Sequence, residues 1–235
     1  MIASRNDLCF HEEILLLALK DEKGTTHSRA SMCGYAMAGG IMAELLLAER
    51  ITVDDDRRMM VAAVSAKALG EPVLDECLTR IAQARRPQGL ASWVQRFARL
   101  KNLRHRVAAG LCRRGVLYAA QDRVLLIFPR RLYPERDSSF EQRIVERMGR
   151  AIFTDVQEVS PRTAVLISLA NGAGLLAIPF GRSELKQRKE RIEQITNGEL
   201  MGRATREAVR AARAAVAAAC AASVACTAAV TAATS

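Results

Sequence analysis

Aromatic side chains make up only 4% of this 235-residue chain, so a core has to be built from Leu, Val, Ile, Met and Ala. That composition suits helices better than a β-sandwich. None of the six cysteines (Cys9, Cys33, Cys77, Cys112, Cys220, Cys226) is paired as CxxC, which argues against a zinc ribbon, and their apolar surroundings suit reduced thiols in a cytoplasm. No GxxxxGK, GxGxxG, HExxH or GxSxG motif occurs, and the three histidines, His11, His27 and His105, are scattered. Nothing here argues for an enzyme, a metal or a cofactor. Met1 to Phe10 has no long apolar run, so no secretory signal is expected.

Between Glu76 and Asp122 no acidic residue occurs, whereas Arg80, Arg85, Arg86, Arg96, Arg99, Lys101, Arg104, Arg106, Arg113 and Arg114 all fall there. These ten equal the whole net charge of +10, and the remaining 25 basic residues balance the 25 acidic ones. A cationic surface this concentrated attracts a polyanion: nucleic acid, anionic lipid or an acidic protein.

Ser31 to Arg50 carries one charge before its C-terminal end, Glu44, and is rich in small residues at Gly34, Ala36, Ala38, Gly39, Gly40 and Ala43. It reads as a helix apolar on nearly every side, hence buried, and its uncharged run is too short for a bilayer span. The chain is expected to form one mainly α-helical domain around this helix.

A leucine helix over Asp7–Lys20 precedes it, with Glu12 and Glu13 at the positive end of the helix dipole. Ile51–Arg58 reads as a short strand and turn in which Asp54, Asp55 and Asp56 are solvated. Pro72 opens the next helix, and Trp93 anchors another in the core. Leu100–Arg114 reads as one helix with a Leu100, Leu103, Val107, Leu111 stripe, Arg104 at its border, Lys101 beside it and His105 on the exposed side. A border arginine buries its stem and holds its guanidinium in place, as a phosphate clamp requires.

After Gly115, Val116–Tyr118 and Val124–Phe128 read as the arms of a hairpin, the second apolar on both faces. A Pro- and charge-rich loop, an amphipathic helix over Phe140–Phe153, two buried half-helices over Arg162–Ala177 and a surface helix over Ser183–Thr196 follow. Residues 1–202 are thus expected to form the domain and 203–235 an Ala-rich C-terminal helix, packed on it or frayed.

FHEEILLLALKDEKG, GGIMAELLLAERI, PVLDECLTRI, and LKNLRHRV followed by RRGVL and VLLIF resemble, in that order, the Golgi phosphoprotein 3 family, from about Leu8 to about Ile195. The resemblance implies a single mainly α-helical domain with a central buried helix and a protruding β-hairpin. It further implies a cytoplasmic peripheral membrane protein that binds the phosphatidylinositol 4-phosphate headgroup and acts as an adaptor for membrane proteins. Two cationic pocket positions of the family fall on Lys101 and Arg104. Its pocket tryptophan and remaining arginine fall on Arg29 and Ala38, a departure that bears on lipid selectivity while leaving Arg29 as a phosphate contact. The family hairpin, held to touch membrane or neighbouring subunits, supplies Val124, Leu125, Leu126, Ile127 and Phe128. Arginine outnumbering lysine, and the absence of the family's arginine-bearing N-terminal tail, lead to the expectation of a bacterial member.

Three functions fit these residues. A non-enzymatic binder of an anionic phospholipid or phosphoinositide headgroup needs the cations and the greasy arm on one side. A winged-helix-like DNA-binding protein shares the order basic helix, glycine, hairpin, but here Ala119–Asp122 is poor in the cations a wing needs. An oligomeric protein-interaction module would pair the hairpin with a second copy.

Overall fold

The computed structural model describes residues 7–19, 25, 32–54, 59–124, 128–200 and 217, with the side chains of 122–130 outside that description. The Ala-rich segment therefore lies outside the described residues, Ala217 excepted. The described part is mainly α, with helices packed around one buried helix and a separate β-hairpin, as the composition predicts.

Helix α1 (Phe10–Ala18) is buried over all nine residues. Its two acidic residues are buried along with its leucines, because each meets an arginine from far along the chain: Glu12 meets Arg114 at 2.7 Å and Glu13 meets Arg147 at 2.7 Å. Burial still raises the Glu13 carboxyl above its usual range, Arg147 and Arg162 opposing the shift. Beside α1 lies α2 (Cys33–Leu47), the expected central helix, buried along most of its length. Its lone internal charge, Glu44, accepts the Phe10 N–H at 3.0 Å and both guanidinium nitrogens of Arg162.

Strands β1 (Ile51–Val53) and β2 (Met60–Ala63) pair antiparallel, and a two-residue strand β3 (Gln88–Gly89) joins the other edge of β2. Asp54 receives the Met60 N–H, consistent with a turn, while Asp55 and Asp56 lie outside the described residues. Helix α3 (Pro72–Ala82) starts at its proline, where the missing N–H costs nothing, and the Glu71 side chain caps the Leu74 N–H at 2.7 Å. Helix α4 (Leu90–Ala98) buries Trp93, Val94 and Phe97, so Trp93 is the core anchor it was expected to be.

Three expectations about the middle of the chain need correcting. The helix read over Leu100–Arg114 is interrupted: Asn102 adopts a left-handed conformation, and α5 runs only from Leu103 to Arg113. Asparagine tolerates that backbone state, so the chain turns there and Lys101 leaves the helix.

The hairpin is displaced by four residues, with β4 at Ala120–Val124 and β5 at Phe128–Leu132. Val116 and Leu117 are instead buried at its root, where the Val116 N–H bonds to the Leu111 carbonyl and Leu117 bridges to Glu135. Proline, which suggests a loop, is accommodated at position 129 because a two-stranded ribbon consists only of edge strands. The apolar run Val124–Phe128 is thus not an arm: Val124 and Phe128 face each other at the strand ends, and Leu125, Leu126 and Ile127 lie outside the described residues.

Helix α6 (Ser139–Phe153) follows, then α7 (Pro161–Gly172), which stops at Asn171-Gly172 as expected, but what succeeds it is a 3₁₀ turn (Leu175–Ala177) after a left-handed Gly174. The surface helix is split at Arg188 into α8 (Arg182–Gln187) and α9 (Lys189–Asn197), and a left-handed Gly198 closes the second. Among the described residues no helix is long and apolar enough to cross a membrane.

Candidate functional site

Helix α2 begins at Met32, which offers no side-chain cap, and has no acidic residue in its first turn, so its positive dipole end is not offset by a local carboxylate. A side chain added at Gly34 would meet the Ala98 carbonyl at 3.7 Å, which places this first turn against the end of α4. The chain then passes through exposed Lys101 into α5, where Arg104 is half-buried at the border of the Leu103, Val107, Leu111 stripe. Arg104 is near enough to Cys33 to act on its thiol, although burial prevails and pushes that thiol up to about 12. The fold therefore brings Arg104 near the start of α2, with Lys101 exposed on the turn that leads into α5. Lys101 has no ion pair among the described residues. Arg106, two residues beyond Arg104, is tied to Glu76 and holds that carboxyl below its usual range.

Ala38 is fully buried in α2 and supplies no polar group. Arg29 lies outside the described residues.

His105 is not the solvated charge that helical periodicity suggests. It is half-buried, its Nδ1 lies 3.0 Å from the Tyr133 hydroxyl, and the two rings are 5.7 Å apart. Tyr133 directly follows β5, so this contact ties the hairpin to the basic helix. Partial burial, then the charges of Arg104 and Arg131, lower the His105 pKa. Arg131, exposed on β5, falls in the stretch that its proline and charges mark as a loop, and the displaced register brings it near His105.

His11 is the opposite case. It is fully buried, with Nε2 3.4 Å from Glu71, an ion-pair contact rather than an aligned hydrogen bond. Burial alone would lower its pKa, but Glu71, with Glu12 and Glu44 nearby, raises it. An NMR titration should therefore place the His105 midpoint below 6.5 and the His11 midpoint above it. By linkage, the contribution of His105 to stability is present above pH 6.5 and lost as the pH falls through its folded value. That of His11 is complete below 6.5 and lost as the pH rises through its own. A His105 midpoint at or above that of His11 would contradict the geometry.

Among the described residues no group of three or more His, Cys, Asp or Glu side chains could hold a metal ion. The arrangement joins a helix N-terminus to the cations of α5 and of the turn before it, a chemistry suited to an anion.

Vacuolar protein sorting-associated protein 74 of Eremothecium gossypii is 30% identical over 201 residues, covering 72% of this chain and 60% of that protein. The chain thus spans about three-fifths of the length of this curated relative, one of several it matches. That relative is fungal and lends no support to the bacterial source expected from the arginine bias. The family model for Golgi phosphoprotein 3 (GPP34) matches residues 10–212, most of the sequence, and the chain belongs to that family.

Proposed function

We propose that the protein is a peripheral membrane protein that grips an anionic phospholipid headgroup, phosphatidylinositol 4-phosphate or a relative of it, between Lys101, Arg104 and the start of α2. Arg29, just ahead of α2, supplies a further phosphate contact, and Arg131 adds positive potential. The observation that supports the reading is the His105–Tyr133 contact, which ties the end of the hairpin to the helix that carries Arg104.

Each basic residue held near an anionic surface contributes about 1 kcal/mol. Burial of two or three of Val124, Leu125, Leu126, Ile127 and Phe128 in lipid adds roughly 1.5–3 kcal/mol each. The sum is reversible anchoring, which suits a cytoplasmic adaptor that gathers membrane-protein clients, and the same apolar connection would serve to pair two copies.

Flotation with vesicles tests this. Binding should require an anionic lipid, favour phosphatidylinositol 4-phosphate over the same charge of phosphatidylserine, and weaken about tenfold or more in the Lys101→Ala/Arg104→Ala variant, two charge-assisted contacts being lost. Leu126→Asp/Ile127→Asp should also release the protein. Flotation indifferent to anionic lipid and to Lys101 and Arg104 would remove the proposal.

A further inference from the structure

The headgroup reading uses only two of the ten cations in the acid-free stretch. Arg106 and Arg114 are engaged with Glu76 and Glu12. Three others, Arg80, Arg85 and Arg96, converge on a separate cavity of about 310 Å³ between the C-terminal end of α3 and the outer side of α4. Gln83, Gln88 and Trp93 complete the relevant lining, and no carboxylate lines it.

Arginines at the end of α3 could be explained by the negative end of its dipole. The same pull acts on Arg96 in the last turn of α4, but it does not explain why arginines from two helices line one space.

The guanidiniums are held in different ways. Arg96 donates from Nη1 to the Gln88 Oε1 at 2.8 Å and lies over the Trp93 ring at 5.1 Å. Arg80 is held by Glu76, with Nε donating at 3.0 Å and Nη2 at 2.9 Å. Arg85, exposed like Arg80 and Arg96, has no ion pair among the described residues. Trp93 is buried, and its Nε1 has no hydrogen-bond partner there. Two oriented planar forks and a third that can close on the ligand suit a tetrahedral dianion, which accepts several N–H donors at once. The volume is at the small end for ligand cavities, about 300–1,000 Å³, and a concave pocket rather than a flat cationic stripe does not fit a duplex.

We infer that this cavity is a second anion site, one that binds a phosphate monoester carried either by a lipid headgroup or by a soluble compound. The inference does not depend on the site at Lys101 and Arg104.

Trp93 is the only tryptophan of the chain and reports on the cavity it lines. Titration of the whole protein with inorganic phosphate should change its fluorescence saturably, while chloride at matched ionic strength should not. Arg85→Ala, at an exposed position, should weaken the response about tenfold, as expected for loss of a charge-assisted contact. Arg96→Gln should do the same, and Lys101→Ala/Arg104→Ala should leave the response intact. A shift with phosphatidylcholine vesicles carrying phosphatidic acid, but not with equal charge as phosphatidylglycerol, identifies a lipid source. A response to soluble phosphate alone identifies a free one. The inference fails if phosphate gives no saturable change, if the change survives Arg85→Ala, or if it disappears with Lys101 and Arg104.

Discussion

Arg162→Ala is expected to lower the free energy of unfolding by about 3–5 kcal/mol, the cost of leaving one partner of a buried ion pair behind. Arg162 sits in the first turn of α7, where the helix dipole disfavours a cation, so something else must hold it there. Its Nη1 donates to Glu44 Oε1 at 3.0 Å, its Nη2 to Glu44 Oε2 at 3.2 Å and to the Leu8 carbonyl, and the guanidinium lies over the Phe10 ring at 4.3 Å. Glu44 also receives the Phe10 N–H, so the pair ties α7 and the start of α1 to the central helix. Its side chains retain 30% and 16% exposure, which places the expected loss at the lower end of the range. Arg162→Lys should recover only part of it, since an ammonium cannot reproduce the two-pronged contact. Urea unfolding of Arg162→Met, Glu44→Leu and the double variant would measure the coupling, and the double variant should be less damaged than the two single losses combined. A loss below about 1 kcal/mol in Arg162→Ala would mean the pair behaves as a surface salt bridge.

Glu44 also shows what a sequence can and cannot disclose. Its isolation in an otherwise apolar stretch was visible, and so was the burial of the helix, because a run of small and apolar residues has few other fates. Its partner was not visible, since Arg162 lies 118 residues away and looked like any other arginine. The same holds for Glu12 and Glu13, read as dipole partners on a helix end and found buried against Arg114 and Arg147. Local punctuation was read well where it acted locally, as at Pro72 and Gly198. It misled where tertiary context overruled it: Pro129 lies within a strand, and Asn102 turns the chain inside a helical pattern. Those two departures decide the candidate site. The first carries Arg131 into the neighbourhood of His105, and the second puts Lys101 on a turn instead of a helix face. Charge concentration between Glu76 and Asp122 was plain from the sequence, but its division among internal ion pairs, the candidate headgroup site and the α3–α4 cavity is a property of the packing.

Gly40→Ala and Gly110→Ala, the same chemical change in two helices, should shift stability in opposite directions. In α2 a side chain at position 40 would stand 3.0 Å from the Phe10 Cβ, 3.1 Å from the His11 nitrogen and 3.2 Å from the Phe10 carbonyl carbon. Two of those are backbone atoms of α1, and α1 cannot recede without straining the Phe10–Glu44 hydrogen bond and the His11–Glu71 contact. Overpacking of this kind costs about 1–3 kcal/mol, which outweighs the gain of up to about 1 kcal/mol that alanine brings to a helix interior. In α5 the only atom near a Cβ at position 110 among the described residues is the tip of the Arg113 side chain at 3.8 Å, so there the propensity gain of about 0.5–1 kcal/mol should appear undiminished. Thermal unfolding should therefore show Gly40→Ala melting several degrees lower and Gly110→Ala slightly higher, at about 2–4 °C per kcal/mol for a domain of this size. Gly40→Val, bulkier and β-branched, should drive α1 off the central helix and expose the buried leucines of α1. If Gly40→Ala were as stable as the parent, the two helices would have to be free to separate, and the buried network of His11, Glu44 and Arg162 would lose the rigid frame that its distances imply.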